Sequence, residues 1–492
     1  MDRIRKTFRR RESYEPLEGG SVRPDGERID GDDKQPFNWI DYNVFFLLGI
    51  SMLWAWNMFL AAGPYFQKRF ASSESILSTF QSAELSVSTI CNLGSTLILA
   101  KLQRNASYPR RVISSLGINI IAFTLLTIST RVATGISAQA YFGFLIVMVA
   151  AASLATGLCQ NGVFAYATGF GREEYTQAIM TGQAVAGVLP CIAQIVSVLA
   201  VPADKSNEQR NRIREDMKSN EDGSPEGSSK SAFAYFLTAT CVSALALVAF
   251  FYLLSRHPHI HRRKRSSVAN TLARPSTADV AAVSSSNSVG AEDVDEGIDD
   301  AEDEETASEP EHKSIPLTTL FRKLHWLCVA VFLTFGITMI FPVFTQQISS
   351  VRDEARSPRI FERSAFIPLA FLLWNIGDLI GRLLTAVPAL SLTRRPFVLF
   401  LLSIARVVFI PLYLLCNIRG DGTAVIPSDA FYLIVVQLLF GLTNGYVGSQ
   451  CMMGAVDWVD VPEREAAGGF MGMCLVAGLT VGSLASFFVG AT

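Results

Sequence analysis

The sequence predicts an all-α polytopic membrane protein with eleven transmembrane helices, arranged six and five about a polar linker. Three observations lead there. Half of the 492 residues are hydrophobic, and mean hydropathy is positive at +0.31. The apolar residues gather into runs long enough to cross a hydrocarbon layer of about 30 Å. Charge is concentrated in the first forty residues and a few connecting stretches. Helices are expected because each lipid-crossing segment must satisfy its own backbone hydrogen bonds.

In chain order, residues 1–40 are basic and polar and predict a disordered cytosolic N-terminus. They contain no apolar core of signal-peptide length, so the first span is expected to act as an uncleaved anchor. Helices 1–6 are placed at 42–66, 77–101, 111–131, 140–168, 176–200 and 232–254, within a first unit of 41–255. A linker follows over 256–322. It opens with "RHPHIHRRKRSS" and turns acidic, with 12 Asp or Glu among the 21 residues from Ala291 to Glu311. Such a composition cannot build a packed core and predicts a disordered cytosolic segment. "RRKRSS" offers Ser266 or Ser267 to a basophilic kinase, and the segment could also meet sorting machinery. Helices 7–11 are placed at 325–348, 364–389, 396–416, 429–454 and 466–490, within a second unit of 323–492.

With the N-terminus cytosolic, inside segments carry 26 Lys and Arg and outside segments 14, which favours that orientation and a lumenal or extracellular C-terminus. The basic loop 202–230 runs against the bias. Arg382 and Arg406 lie within apolar runs. Asn105-Ala-Ser107 matches a glycosylation pattern but falls on the cytosolic side. The eight cysteines sit in or beside apolar runs without C-x-x-C spacing, so packing is expected rather than disulfides or zinc. No phosphate-binding glycine loop, Ser/His/Asp set or metal spacing is present, so an enzyme, a metal, a cofactor or a nucleic-acid partner is not expected.

The informative positions are polar groups inside apolar helices. "PLAFLLWNIGDLIGRLLTAVPAL" holds Asn375, Asp378 and Arg382. A central Asp or Arg costs about 2.5–3.5 kcal/mol on insertion scales, so each needs a cavity or a partner. Asp378 and Arg382 are spaced i, i+4 and share a helix face, which Asn375 extends. A buried ion pair that locks the helix, a gate resembling the D-x-x-G-R loop motif of major-facilitator transporters, and a polar substrate site all fit. Trp56, deep in helix 1, suits an aromatic cavity wall, and Asn57 follows it. Gln160 in helix 4 offers both a donor and an acceptor, as a nucleobase edge requires, although a helix–helix hydrogen bond also explains it. Gln183 and Asn444 read as packing or gating groups. Glu84 in helix 2 is a second buried acid, either hydrogen-bonded or a proton site. Glycines four apart, at 377/381, 441/445, 468/472 and 478/482, predict close helix approach.

Six segments in order, "LWAWNMFLAAGPYF", "MTGQAVAG", "GITMIFPVFT", "WNIGDLIGRLLTAV", "RVVFIPLYLLCN" and "TNGYVGSQCMM" with "EREAAGGFMG", resemble the equilibrative nucleoside transporters, covering almost everything from Asp41 onward. The length and central acidic loop look like fungal members. The resemblance implies a major-facilitator-like fold and facilitated diffusion of purine and pyrimidine nucleosides by alternating access. It implies that Trp56 and Leu53 wall the site, Gln160 bonds the base, and Asp378 and Arg382 engage ribose; spacing alone adds Asn375 to that face as a candidate contact. It assigns Arg111 to the cytosolic gate, and Phe341 and Pro342 to a bend in helix 7. Many members carry Pro where this chain has Ala55, which leaves the bend of helix 1 open. The fungal likeness favours a vacuolar or other endomembrane over the plasma membrane, and a monomer is expected. A proton-coupled carrier using Asp378 or Glu84 is the alternative; a non-transporting receptor or scaffold is a remote one.

Overall fold

The computed structural model describes residues 36–102, 107–132, 135–200, 225–257, 315–352, 358–418 and 424–490. Residues 1–35, the acidic stretch and the kinase-site serines Ser266 and Ser267 lie outside these, as does Asn105.

Among the described residues, eleven helices are long and apolar enough to cross a membrane: α1 (Trp39–Arg69), α2 (Glu74–Lys101), α3 (Tyr108–Val132), α4 (Ala138–Gly169), α5 (Glu173–Val196), α6 (Ser229–Arg256), α7 (Leu317–Gln347), α8 (Arg363–Leu384), α9 (Pro396–Leu414), α10 (Phe431–Trp458) and α11 (Val461–Ser486). Six precede residues 258–314 and five follow. Most ends lie within a few residues of the expected ones; α7 starts eight residues earlier, at Leu317, and α8 stops five residues earlier, at Leu384.

Several spans are interrupted. In α1 the first helix runs unbroken through Ala55 and stops at Ala61; the second starts at Gly63, with Pro64 in its first turn. Proline is tolerated there because the first N–H groups of a helix have no intrahelical acceptor. The break in α1 therefore falls at Ala62 and not at Ala55. In α7 the first helix stops at Thr338 and the second starts at Phe341, again with proline, Pro342, in the first turn. In α9 a 3-10 turn at Arg406–Val408 separates two short helices. In α10 a π-helical stretch, Phe431–Leu438, leads into Leu439–Gly454.

α1 packs on α5 and α6, α3 on α4 and α6, and α2 on α4; in the second half α8 packs on α10, and α7 on α9, α10 and α11. The halves meet chiefly through α5 with α8 and α4 with α11. One apolar core crosses that boundary, with Phe45, Phe164 and Ile179 from the first half and Leu324, Val331 and Met471 from the second. A second core, around Phe59, Phe66, Phe123 and Phe236, lies within the first half. A third, around Phe341, Phe366, Tyr413 and Phe440, lies within the second. At the start of α1, buried Asp41 accepts from Arg256 at 3.0 Å and pairs with His257 at 2.8 Å, tying α1 to the end of α6.

The glycine spacing has a direct structural reason. A Cβ on Gly377 or Gly381 would run into the carbonyls of Leu438 and Leu442, and one on Gly441 or Gly445 into those of Trp374 and Asp378. The α8–α10 crossing is thus backbone against backbone, and it fixes the main chain that carries Asp378. Gly478 and Gly482 do the same for α11 against Phe332 and Gly336 of α7. Overpacking such a contact costs about 1–3 kcal/mol or more. Gly445→Val should therefore lower the unfolding midpoint of purified protein in detergent. An equal change at Gly143, whose Cβ would meet nothing, should not.

Candidate substrate site

Asp378 and Arg382 are 2% and 6% exposed. Arg382 Nε donates to Asp378 Oδ2 at 2.7 Å, one turn along α8, as the i, i+4 spacing predicts. The pair also reaches other helices. Arg382 Nη1 donates to the Met180 carbonyl of α5 and lies 3.4 Å from Gln183 Oε1. Gln177 Nε2, one turn earlier on α5, donates to the Arg382 carbonyl at 3.4 Å. On the opposite side Asn444 Nδ2 of α10 donates to Asp378 Oδ1 at 2.7 Å. Arg382 thus joins the two halves, while Asp378 is held within the second.

This arrangement satisfies both charges. Each carboxylate oxygen accepts one bond, and the guanidinium, which can only donate, finds a carboxylate and a carbonyl. Such additional hydrogen bonds offset part of the desolvation penalty that makes isolated buried pairs costly.

Asn375 lies one turn before Asp378 and faces α5. Its Nδ2 donates to the Phe371 carbonyl at 2.8 Å and approaches Cys191 Sγ at 3.6 Å. Gly187 of α5 leaves the room its side chain needs. Asn57 donates to the Ala186 carbonyl at 2.7 Å, so α1 and α8 flank the same stretch of α5 from two sides. Trp56 is half-buried beside it and Leu53 is 36% exposed. Gln160 is buried on α4, and its Oε1 has no hydrogen-bond partner. Among the described residues, no hydrogen bond joins Trp56, Leu53 or Gln160 to the charged pair. Phe341 stacks on Trp374 of α8, with centroids 4.3 Å apart and planes at 14°, just past the break in α7 that Pro342 follows.

Arg111, at the start of α3, donates to Asn161 Oδ1 and to the Leu102 carbonyl at 2.6 Å. Asn161 in turn lies against Gly469 of α11. At the same end of the bundle Glu465 closes on Gly169 and Arg464 on Gly171. Gly171 adopts φ 69°, a left-handed conformation that glycine enters at little cost. Arg111 therefore sits at the contact between the halves. Glu84 is half-buried on α2, with one carboxylate oxygen buried and unpartnered.

Gln183 and Asn444 were expected to pack or gate; both touch the charged pair. Arg406, Thr338 and Gln177 join the same region, and only the first drew notice in the sequence, as a charge in an apolar run.

A family model described as Nucleoside transporter matches residues 145–491. The chain is 31% identical over 460 residues to the nucleoside transporter FUN26 of Saccharomyces cerevisiae, covering 91% of this chain and 83% of that one. It is 27% identical over 483 residues to the human equilibrative nucleoside transporter 1, covering 90% and 95%. Among solved structures it resembles a variant of the E. coli fucose:proton symporter FucP at 11% identity with a TM-score of 0.50, covering 92% of this chain and 96% of that one. A second FucP structure, of this major facilitator superfamily transporter in the outward conformation, matches at 13% identity with a TM-score of 0.51 and the same coverage. These likenesses show the major-facilitator fold. With the family match spanning well over half of its length, the chain belongs to the nucleoside transporter family.

Proposed function

We propose that this protein carries purine and pyrimidine nucleosides across a membrane by facilitated diffusion, through alternating exposure of a site centred on Asp378 and Arg382. One observation carries the reading: the buried pair belongs to one half, yet Arg382 bonds a backbone carbonyl of the other. A neutral ligand that competes for Arg382 acts on the contact between the halves, which gives binding a means to bias their movement.

The chemistry suits a ribose. A hydroxyl can donate to a carboxylate and accept from a guanidinium at once, and a neutral polyol adds no charge to a buried site. Asn375 extends the polar face. Trp56 and Leu53 supply an apolar wall for the base, and the unpartnered Gln160 Oε1 is an acceptor for an exocyclic amine or ring N–H. Asn57, Gln183 and Asn444 hold α1, α5 and α10 around the pair, Arg111 closes one end, and Phe341 and Pro342 set the break in α7. The Lys/Arg bias supports a cytosolic N-terminus with a lumenal or extracellular C-terminus. An endomembrane, vacuolar above all, is the favoured location. The units 41–255 and 323–492 act as the two moving bodies of a monomer, with 256–322 a regulatory linker open to a kinase at Ser266 or Ser267 and to sorting machinery.

The test is uptake of labelled adenosine and uridine by liposomes containing the purified protein. Uptake should stop at equal inside and outside concentrations. A second reading, proton coupling through Asp378 or Glu84, draws on the orphaned Glu84 oxygen, because a protonated carboxyl tolerates burial without a donor far better than a carboxylate. An imposed pH gradient separates the two. We expect the plateau to stay unchanged; accumulation above equilibrium that Glu84→Gln abolishes would establish coupling instead.

A further inference from the structure

We infer that Arg406 is a positioning residue for Asp378, acting through Thr338 and Asn444, and that this relay sets how strongly the protein prefers substrates bearing ribose hydroxyls. The inference rests on the nucleoside reading above and deepens it.

Arg406 lies where α9 breaks into its 3-10 turn and is 2% exposed. Among the described residues it touches no carboxylate. Its Nη1 donates to the Thr334 carbonyl, its Nη2 to Thr338 Oγ1 at 2.9 Å and its Nε to Thr443 Oγ1 at 3.3 Å. Its guanidinium carbon stands 4.8 Å from the centre of the Phe440 ring. So costly a buried cation would be expected to have a carboxylate of its own.

The directions of the hydrogen bonds show where its influence goes. A guanidinium only donates, so Thr338 Oγ1 must accept from Arg406. The single Thr338 hydroxyl proton then has two acceptors within reach, the Thr334 carbonyl at 2.8 Å and Asn444 Oδ1 at 2.6 Å. The Thr334 carbonyl already takes the Nη1 proton of Arg406, and Asn444 is the closer, so the proton belongs to Asn444. That choice fixes the amide of Asn444 with its oxygen toward Thr338 and its NH2 toward Asp378 Oδ1, 2.7 Å away. Reversed, the amide would set an oxygen against the carboxylate. The order is Arg406 to Thr338 to Asn444 to Asp378, and from the other side Arg382 Nε holds Asp378 Oδ2 at 2.7 Å. Gripped on both oxygens, the carboxylate keeps one plane and offers its remaining lone pairs to a hydroxyl in a fixed direction.

The relay spans α9, α7, α10 and α8, all in the second half. Thr338 is its weakest-charged and most replaceable link, which makes it the position to test. Purified full-length protein in liposomes would be assayed for the KM of uridine and of 2′,3′-dideoxyuridine, as wild type, Thr338→Val and Thr338→Ser. Wild type should prefer uridine. Thr338→Val keeps the side-chain shape and removes the hydroxyl; it should raise the uridine KM about tenfold, in line with one bond to a charged group, and leave the dideoxy KM nearly unchanged. Thr338→Ser keeps the hydroxyl and should keep the wild-type ratio. Arg406→Met should narrow the ratio as Thr338→Val does, and the two Thr338 variants decide the matter if it does not fold. A ratio unchanged in Thr338→Val, or lost equally in Thr338→Ser, overturns the relay while leaving the ribose site standing. A wild type that does not distinguish the two substrates overturns the ribose reading itself, and the relay with it.

Discussion

Asp378→Asn should abolish nucleoside uptake. The amide keeps the shape of the side chain, but it cannot hold a formal charge opposite Arg382, and its NH2 is a donor where Asn444 Nδ2 and Arg382 Nε both need acceptors. Arg382 then joins Arg406 as a buried guanidinium that, among the described residues, touches no carboxylate. On the transport reading the substrate loses its strongest hydroxyl acceptor as well. Each hydrogen bond to a charged group is worth about 1.5–3 kcal/mol, and losing two takes uptake down by more than about 100-fold. The measurement is initial uptake of adenosine by liposomes, normalised to incorporated protein. Near-normal flux through correctly inserted Asp378→Asn would remove Asp378 from the site.

The parts of the site that could be read from the sequence are those carried by local periodicity. The i, i+4 spacing of Asp378 and Arg382 fixes their contact within one helix, and the 2.7 Å bond follows from it. The paired glycines foretell close crossings, because a missing Cβ on one helix has meaning only against another backbone. The eleven spans follow from run length alone. What periodicity cannot supply is the partner across space. Gln183 and Asn444 are far from the pair in sequence, and only the α5–α8 and α8–α10 crossings bring them to it. Arg406 was visible as a charge in an apolar run, but its acceptors, Thr334, Thr338 and Thr443, are commonplace hydroxyl residues on two other helices, and no spacing marks them. Asn375 shares the stripe of Asp378 and Arg382 as expected. Its bonds nevertheless stay within α8 and against α5, because its face of α8 meets Gly187 of α5 while α10 crosses the neighbouring face at Trp374, Gly377 and Gly381. The break in α1 is similar: Ala55 carries no signal, whereas Gly63 and Pro64 do, and the helix stops just before them.

The same pair admits a structural role, that of a lock holding α8 to α5, and a double substitution separates it from transport. Arg382→Met alone leaves Asp378 charged and buried with only Asn444 on it, and Asp378→Asn alone leaves Arg382 without its carboxylate. Breaking one side of a buried pair costs about 3–5 kcal/mol, whereas replacing both partners by groups of similar volume is often neutral. Met fills the volume of the arginine stem, and Asn at 378 can still accept from Asn444 through its carbonyl oxygen if its amide turns. The double variant Asp378→Asn/Arg382→Met should therefore melt within a few degrees of wild type in detergent, while each single variant melts clearly lower. Uptake should not follow stability: all three variants should be inactive, because a hydroxyl then meets neither a carboxylate nor a guanidinium. If the stable double variant transports nucleosides, the pair is a lock and the substrate binds elsewhere. Recovery of stability without recovery of flux shows that the charges do more than hold the fold, since a folded and correctly inserted protein then carries nothing.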